Sequence, residues 1–270
     1  MPSGRASRTA RRGTRVPPPP RSKGARRARQ ANPRVLGALA ALAVAAAVAI
    51  VLAVVLTRGS TNAATNAPAV GSAANGLPGS AAVQALFKGI PQRGTTLGKA
   101  DAPVTMVEYV DLQCPYCREF ETQVLPGLVH KYVRPGILKI ELRPWAFIGL
   151  DSTRGQAAVL AAAEQNKAFN VAELFYDNQG VENSGWLSDN MVRAVASSTT
   201  GLRVHTLLSA MSSSAVKAAA QNVDKLVQAD NVTSTPTILV GKTGTHGTKL
   251  TLKSPTDSQT VTAAIRALET

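Results

Sequence analysis

The sequence predicts an α/β fold in which a helical block separates the first strands from the last. Three observations predict it. The apolar run Val104–Val110 is followed by an amphipathic helix and a second strand, which is the β-α-β beginning of a parallel sheet. Helix signals then dominate residues 151–230, and strand signals return only at Thr237. The order β-α-β, helices, β-β-α describes one domain, which we expect to span residues 82–270.

The first strand leads into a Cys-x-x-Cys motif. After the short turn at residues 111–113, Cys114 opens a helix whose first turn carries Pro115, which is favoured there because that position needs no N–H donor. The free N–H groups and the positive dipole end of a helix N-terminus stabilise a thiolate. We therefore predict that Cys114 is a nucleophile. Cys117, one turn later, is placed to attack any mixed disulfide that Cys114 forms.

The remaining elements follow from periodicity and capping signals. Apolar residues recur every fourth position from Phe120 to Tyr132, so this helix has one buried face, and Pro126 predicts a kink. Further helices are predicted over residues 152–166, 171–178, 189–197, 203–211, 215–229 and about 258–268, and further strands over 137–142, 237–240 and 249–252.

The first 34 residues contain ten Arg, one Lys, four consecutive prolines and no acidic residue, so we expect a disordered tail. Residues 35–56 form an uninterrupted apolar run, which matches the roughly 20 residues of a transmembrane helix. Because the basic residues precede this run, the positive-inside rule predicts a single-pass protein of the cell membrane with a cytoplasmic N-terminus and an extracytoplasmic domain. Residues 57–81, rich in Ala, Asn, Ser and Gly, predict a flexible linker.

A cleaved signal peptide is the alternative to the membrane anchor. Ala67, Pro68 and Ala69 resemble a small-residue cleavage site, although the apolar core of a signal peptide is only about 7–15 residues long.

Composition argues against several other functions. The net charge is +14, but +11 of it lies in the first 34 residues, and aromatic residues make up only 4% of the chain. The domain therefore lacks the basic, aromatic surface of nucleic-acid-binding proteins, and we expect no nucleic-acid partner. Both cysteines lie in one motif and the three histidines are scattered, so we expect no metal site and no disulfide-stapled scaffold.

The motifs resemble those of the DsbA-like thiol–disulfide oxidoreductases, which have a thioredoxin fold with an inserted helical domain. The resemblance rests on the strand, C-P-Y-C and helix, on the later Thr-Pro-Thr, and on the helical block. Membrane-anchored bacterial members are resembled in I-P-Q-x-G-x-x-L-G (90–98), A-P-V (102–104), D-L-Q-C-P-Y-C (111–117) and N-S-G-W (183–186). The resemblance implies that Cys114 and Cys117 are the nucleophilic and resolving cysteines, with no further cofactor.

The resemblance also implies roles for residues beside the cysteines. Pro236 matches the loop proline that the fold holds in cis, and such a turn exposes the backbone of Thr235 to an extended substrate. Pro115 and Tyr116, between the cysteines, are expected to contact substrate as well. Tyr116 stands where the best-known DsbA proteins have His, so it offers the thiolate a hydrogen bond but no positive charge.

Glu108 lies six residues before Cys114, within a run apolar enough for a strand buried on both faces. Members of the resembled family and thioredoxins place a buried acid at this spacing, which implies that Glu108 accepts the proton of Cys117. The alternative is that this face of the strand is wet and that Glu108 points outward.

These observations predict a membrane-tethered, extracytoplasmic thiol–disulfide oxidoreductase. We expect it to transfer the Cys114–Cys117 disulfide to reduced or misoxidised exported proteins, as an oxidant in their folding, and to be reoxidised by a membrane redox partner. Two alternatives stay open. The enzyme acts in the opposite direction as a reductase or isomerase, or the chain is a non-catalytic chaperone or adaptor that uses the same groove.

Overall fold

The computed structural model describes residues 68–74 and 76–269. The tail expected at residues 1–34 and the transmembrane helix expected at residues 35–56 lie outside these residues. Each helix in the described part is too short or too polar to cross a bilayer.

A six-stranded mixed sheet forms the centre of the domain. The strands are β1 (Gln92–Arg93), β2 (Thr96–Leu97), β3 (Val104–Val110), β4 (Leu138–Pro144), β5 (Thr237–Lys242) and β6 (Thr248–Lys249). Their order is β1-β2-β4-β3-β5-β6; β3 and β4 are parallel, and every other neighbouring pair is antiparallel. Because β3 is hydrogen-bonded on both sides, it lies at the centre of the sheet, as its apolar sequence predicts.

The predicted α/β core with a helical insertion is confirmed. The described helices are α1 (Ser80–Phe87), α2 (Pro115–Gln123), α3 (Leu125–Leu128), α4 (Leu150–Ala163), α5 (Ala168–Asp177), α6 (Asp189–Ser198), α7 (Val204–Ala210), α8 (Ser214–Ala229) and α9 (Ser258–Arg266). Helices α4 to α8 form the insertion between β4 and β5. The helix predicted to kink at Pro126 is divided into α2, α3 and a π-helical turn, Val129–Val133, because proline cannot continue the hydrogen bonding of a helix.

Alternate residues of β3 face two different layers of helices. Val104, Met106 and Val110 belong to the main core, which also includes apolar side chains of α2, α5 and α9. Tyr109 faces the other way and packs with Val223 of α8 in a smaller cluster. The functional site is built at the carboxyl end of β3, where the chain turns into α2.

The folded part begins before the boundary expected at Ala82. The N–H of Gly71 donates to the carbonyl of Leu202 at 2.8 Å, and that of Ser72 donates to the carbonyl of Ser197, also at 2.8 Å. A side chain at position 71 would lie 2.3 Å from the carbonyl oxygen of Ala196, so this close approach requires glycine. The described residues between 68 and 81, expected to be a flexible linker, are therefore partly packed on the insertion.

Four further elements differ from the prediction. Helix α1 and the short strands β1 and β2 were not predicted; Phe87 of α1 packs edge-on against Phe169 of α5, with ring centroids 5.9 Å apart. The strand predicted at residues 249–252 is only two residues long, Thr248–Lys249. The N–H of Leu250 still donates to the carbonyl of Ile238, after which the pairing ends.

Candidate redox site

The two cysteines lie at the N-terminus of α2, as predicted. Cys114 is the N-cap residue and Pro115 is the first residue of the helix. Both cysteines are free and buried. The sulfur of Cys114 accepts the backbone N–H of Cys117 at 3.4 Å, and its thiol donates to the carbonyl of Thr235 at 3.4 Å. The fold thus brings the Cys-x-x-Cys helix against a loop 121 positions away in sequence.

The surroundings shift the pKa values of the two thiols in opposite directions. The pKa of Cys114 is lowered from 9.0 to about 7, chiefly by a hydrogen bond with the Cys117 side chain. The Thr235 side chain and the N–H groups of Cys117 and Tyr116 lower it further, whereas burial opposes the shift. Burial, followed by the hydrogen bond and charge of Cys114, raises the pKa of Cys117 well above its ordinary value. Cys114 is therefore the readily ionised thiol, and Cys117 retains its proton.

The loop before β5 completes the surroundings of Cys114. The Thr235–Pro236 peptide bond is cis, which confirms the conformation expected at this proline. Thr235 is buried and its carbonyl faces the Cys114 thiol, while Pro115 and Tyr116 are exposed at the surface between the cysteines. The substrate contacts of these residues stay a prediction.

Asp111, which the sequence assigned only to a turn, organises the loop before the cysteines. One carboxylate oxygen accepts the N–H of Gln113 and the hydroxyl of Ser152, and the other accepts the N–H groups of Phe147 and Ile148, all at 2.8 Å. This fully buried carboxylate therefore joins the active-site turn to the loop before α4 and to α4 itself. An aspartate two residues before an N–H that it accepts is a typical Asx-turn, which was the only local signal.

The insertion also holds the active-site turn through a second loop. The side-chain amide of Gln179 donates to the carbonyls of Leu112 (2.8 Å) and Cys114 (3.1 Å), and the N–H of Asn183 donates to the side-chain oxygen of Gln113 (2.8 Å). These contacts seat the helical insertion directly on the cysteine loop. Of the two loop residues, only Asn183 belongs to a segment singled out in the sequence, N-S-G-W.

An apolar rim, defined as Tyr116, Phe147, Leu150 and Val181, lies on the segments held by these hydrogen bonds. These are four of the five large apolar side chains exposed in the described part of the chain. Because these segments are joined to the cysteine turn by hydrogen bonds, the rim is a candidate interaction surface.

Glu108 is fully buried on β3, which excludes the outward orientation. Burial and then the charge of Glu173 raise its pKa well above 4.5. No hydrogen bond joins Glu108 to Cys117 in the described structure; the groups that shift the Cys117 pKa are Cys114, Asp111 and Thr235. The structure therefore places Glu108 inside the domain but among other acids.

Two buried acids missed in the sequence accompany Glu108. Burial and the charges of Glu108 and Glu173 raise the pKa of Glu121, on α2, and burial raises the pKa of Glu173, on α5, to about 7. Glu121 lies in the apolar face of a predicted helix, but its two partners are on other elements, so the sequence contained no signal for the cluster. Across residues 68–74 and 76–269, no group of three or more His, Cys, Asp or Glu side chains is arranged to hold a metal ion.

Comparisons with known proteins agree with this architecture. A thioredoxin family model matches residues 92–262. A probable disulfide bond formation protein D of Bacillus cereus is 36% identical over 104 residues, which cover 37% of this chain and 47% of that protein. The chain thus matches about half the length of this relative.

Two crystal structures show the same fold. The structure of oxidised BdbD from Bacillus subtilis is 23% identical with a TM-score of 0.58, covering 67% of this chain and 97% of that one. The structure of DsbA from Chlamydia trachomatis is 17% identical with a TM-score of 0.55, covering 64% and 90%. The expected resemblance to DsbA-like oxidoreductases, with a thioredoxin fold and a helical insertion, is confirmed.

Proposed function

The chain belongs to the thioredoxin family, and from this we propose that it is a DsbA-like thiol–disulfide oxidoreductase whose Cys114–Cys117 disulfide exchanges with the thiols of substrate proteins. The observation that carries the proposal is the contrast between the two thiols at one helix N-terminus. Cys114 has a pKa lowered to about 7, and Cys117, one turn away, has a raised pKa. This is the asymmetry required of a nucleophile and its resolving partner.

In the oxidising direction, a substrate thiolate attacks the sulfur of Cys114. The bond between Cys114 and Cys117 breaks, Cys117 takes the electron pair and then a proton, and a mixed disulfide forms. A second substrate thiolate attacks the substrate sulfur of this mixed disulfide, so that Cys114 leaves as a thiolate. Departure is favoured because a sulfur of low pKa is the better leaving group. The substrate loses two electrons and the enzyme gains them as a dithiol.

We place the enzyme on the oxidant side of this equilibrium. Interactions that stabilise the Cys114 thiolate stabilise the reduced enzyme, which makes its disulfide the stronger oxidant. The reduced enzyme then needs an electron acceptor, and we propose that a membrane redox partner takes this role. Disulfides persist outside the cytoplasm, so an oxidant in the folding of exported proteins is consistent with the predicted topology. A reduction potential at or below about −270 mV, that of thioredoxin, would instead support a reductase.

The proposed substrates are reduced or misoxidised exported proteins. The apolar rim beside Cys114 suits apolar side chains that an incompletely folded polypeptide exposes. Thr235 and the residues between the cysteines, Pro115 and Tyr116, are the proposed contacts for the substrate backbone. If the chain were only a chaperone or adaptor, it would bind such polypeptides equally well after both cysteines are replaced.

We propose that residues 35–56 anchor the protein in the cell membrane, with residues 1–34 in the cytoplasm. The support is the apolar length of the span and the Arg-rich segment before it. Protease treatment of spheroplasts should digest the domain and spare the tail. Digestion of the tail with protection of the domain would reverse the topology, and a mature N-terminus near Ala69 would replace the anchor with a signal peptide.

The redox function is tested with the full-length protein and a reduced model protein that forms one disulfide. Cys114→Ser should abolish oxidation, whereas Cys117→Ser should accumulate a mixed disulfide through Cys114, visible on a non-reducing gel. The variant with both substitutions controls for binding that does not involve sulfur. Normal turnover by Cys114→Ser would overturn the assignment, and equal substrate capture by all variants without exchange would support the chaperone alternative.

A further inference from the structure

Three buried carboxyl groups lie together in the domain that carries the cysteine pair, and one of them reaches a surface groove. We propose that Glu121 and Glu173 connect Glu108 to the protein surface, and that Glu173 is the outlet through which the proton exchanged by Cys117 leaves and returns. This inference rests on the thiol–disulfide exchange proposed above. It adds two proton-positioning residues on the active-site helix and on the insertion.

The three carboxyl groups are buried with several oxygens unpartnered. Glu108, Glu121 and Glu173 are at most 4% exposed. Both carboxyl oxygens of Glu108, and one each of Glu121 and Glu173, have no hydrogen-bond partner in the described part of the chain, and no ion pair there engages any of the three. Each unpartnered buried group costs about 1–3 kcal/mol, so the cluster destabilises the fold. A role in proton transfer explains why such groups are useful here.

The three carboxyl groups also interact with one another. Glu173 raises the pKa of Glu121, and Glu121 lowers that of Glu173, so the pair favours a proton on Glu121 and an ionised Glu173. The charge of Glu173 raises the pKa of Glu108, and the charges of both raise that of Glu121. Ionisation of one group therefore favours protonation of the others, and the cluster titrates as a unit that shares its protons.

Tyr176 lies near both the carboxyl cluster and the cysteine loop. Tyr176 lies one turn after Glu173 on α5, and its hydroxyl donates to the carbonyl of Asp111 at 3.2 Å, in the loop that leads to Cys114. After burial, the charges of Cys117 and Glu121 are the largest influences raising its pKa. The same side chain thus lies within electrostatic reach of both the resolving thiol and the acids.

One member of the cluster, Glu173, borders a surface groove. Glu173 lines a groove of about 450 Å³ formed by α1, α2, α3 and the start of the π-helical turn. Its polar lining also includes Thr122, His130 and Asp177, and the remainder is apolar, with Val83 and Leu86 among the residues. Glu173 is thus the member of the cluster that borders this groove, whereas Glu108 and Glu121 do not line it.

The Cys117 proton is lost when the Cys114–Cys117 disulfide closes and is regained when it opens. When Cys117 attacks a mixed disulfide on Cys114, the Cys114–Cys117 bond forms and the bond from Cys114 to the other sulfur breaks. The departing sulfur takes the electron pair as a thiolate, and the Cys117 proton passes to the carboxylate cluster. Glu173 then releases one proton to the groove. In the opposite direction, Cys117 leaves as a thiolate and recovers a proton from the same cluster.

Several titratable groups lie around Glu173, of which Glu121 lowers its pKa and Asp177 raises it. Glu108 approaches from β3 and Glu121 from α2, Asp177 lies one turn away on α5, and His130 lies at the groove. The charge of Arg118 opposes the rise that burial causes in the pKa of Asp177. Because the pKa of Glu173 is about 7, its ionised and proton-accepting form increases as the pH rises through neutrality.

The experiment is a single turnover of the reduced full-length protein with dithiobis(nitrobenzoate), followed by stopped flow. Attack by Cys114 releases one coloured thiolate, and attack by Cys117 releases the second. We expect Glu173→Gln to leave the first phase unchanged and to slow the second by about tenfold or more at neutral pH, because a general base contributes roughly 10²–10⁴-fold. The rise of the second phase through neutral pH should also be lost.

Two control variants keep the outcome clear. Glu173→Asp retains a titratable group and should restore part of the second phase and its pH dependence, whereas Glu164→Gln, at an exposed site, should change neither phase. A second phase that keeps its rate and pH profile in Glu173→Gln would overturn the outlet, as would equal slowing in Glu173→Gln and Glu173→Asp. Loss of the first phase in the unmodified protein would instead refute the proposed oxidoreductase function.

Discussion

Replacing Cys117 by Ala or by Ser isolates the interaction that lowers the Cys114 pKa most. The Cys117 side chain is the largest influence that brings this pKa from 9.0 to about 7. Cys117→Ala removes the donor, whereas Cys117→Ser keeps a hydroxyl donor in its place. Both variants retain the backbone N–H of residue 117, 3.4 Å from the Cys114 sulfur. We expect the Cys114 pKa to stay near 7 in Cys117→Ser and to rise toward 9.0 in Cys117→Ala.

The structure sets an upper bound on the effect. At pH 7 a thiol with a pKa of about 7 is half ionised, whereas one at 9.0 is about 1% ionised, so the thiolate population would fall by up to about fiftyfold. The interval corresponds to about 2.7 kcal/mol, or about 60 mV in a two-electron couple. Cys117→Ala should fall short of this bound because the Thr235 side chain and the Tyr116 N–H still stabilise the thiolate.

The assay is the ultraviolet absorbance of the thiolate as a function of pH. Each variant contains one cysteine, so the whole signal belongs to Cys114. The rate of alkylation near pH 7 gives a second measure and should drop in Cys117→Ala alone. A pKa near 7 in both variants would refute the reasoning, because the helix N-terminus would then suffice without the neighbouring side chain.

Two further predictions concern the neighbours of the pair. Tyr116→His adds a cation beside the Cys114 thiolate and should raise the reduction potential by about 30 mV for each 1.4 kcal/mol of thiolate stabilisation. Equilibration with glutathione measures the potential. An unchanged or lower potential would show that residue 116 does not act on the thiolate. Glu108→Gln should slow the Cys117 step and change the pH dependence of unfolding. Burial raises the Glu108 pKa above 4.5, so the folded state retains a proton that the unfolded chain loses. The stability of the unmodified protein should therefore fall relative to that of the variant as the pH rises above 4.5. Parallel pH profiles of the two proteins would contradict this.

Local sequence signals were sufficient wherever an element is specified by its own residues. The strand Val104–Val110 is apolar because neighbouring strands and two layers of helices cover it. Helix α6 begins at the predicted residue, Asp189, and is preceded by the N-cap Ser188, whose side chain accepts the N–H of Met191. Cys114 and Cys117 were identified in the same way, since a helix N-terminus after a buried strand is a local pattern.

Contacts made by backbone alone were beyond prediction. Residues 68–74 have no periodic apolar face, and Gly71 and Ser72 are held on the insertion through their backbone N–H groups. The short strands β1 and β2 have only two residues each, too few for an alternating pattern. Such segments are specified by the surface on which they lie.

For the site, the sequence alone identified the two candidate reactive sulfur atoms, and the tertiary structure decided what surrounds them. The sequence left two orientations open for Glu108. In the folded domain Glu108 is buried and feels the charge of Glu173, which lies 65 positions away in the chain. Asp111 likewise acquired its partners from the loop before α4 and from α4 itself. The physical reason is that a nucleophile at a helix end is set by residues within one turn, whereas the pKa of a buried acid depends on desolvation and charge supplied by distant elements.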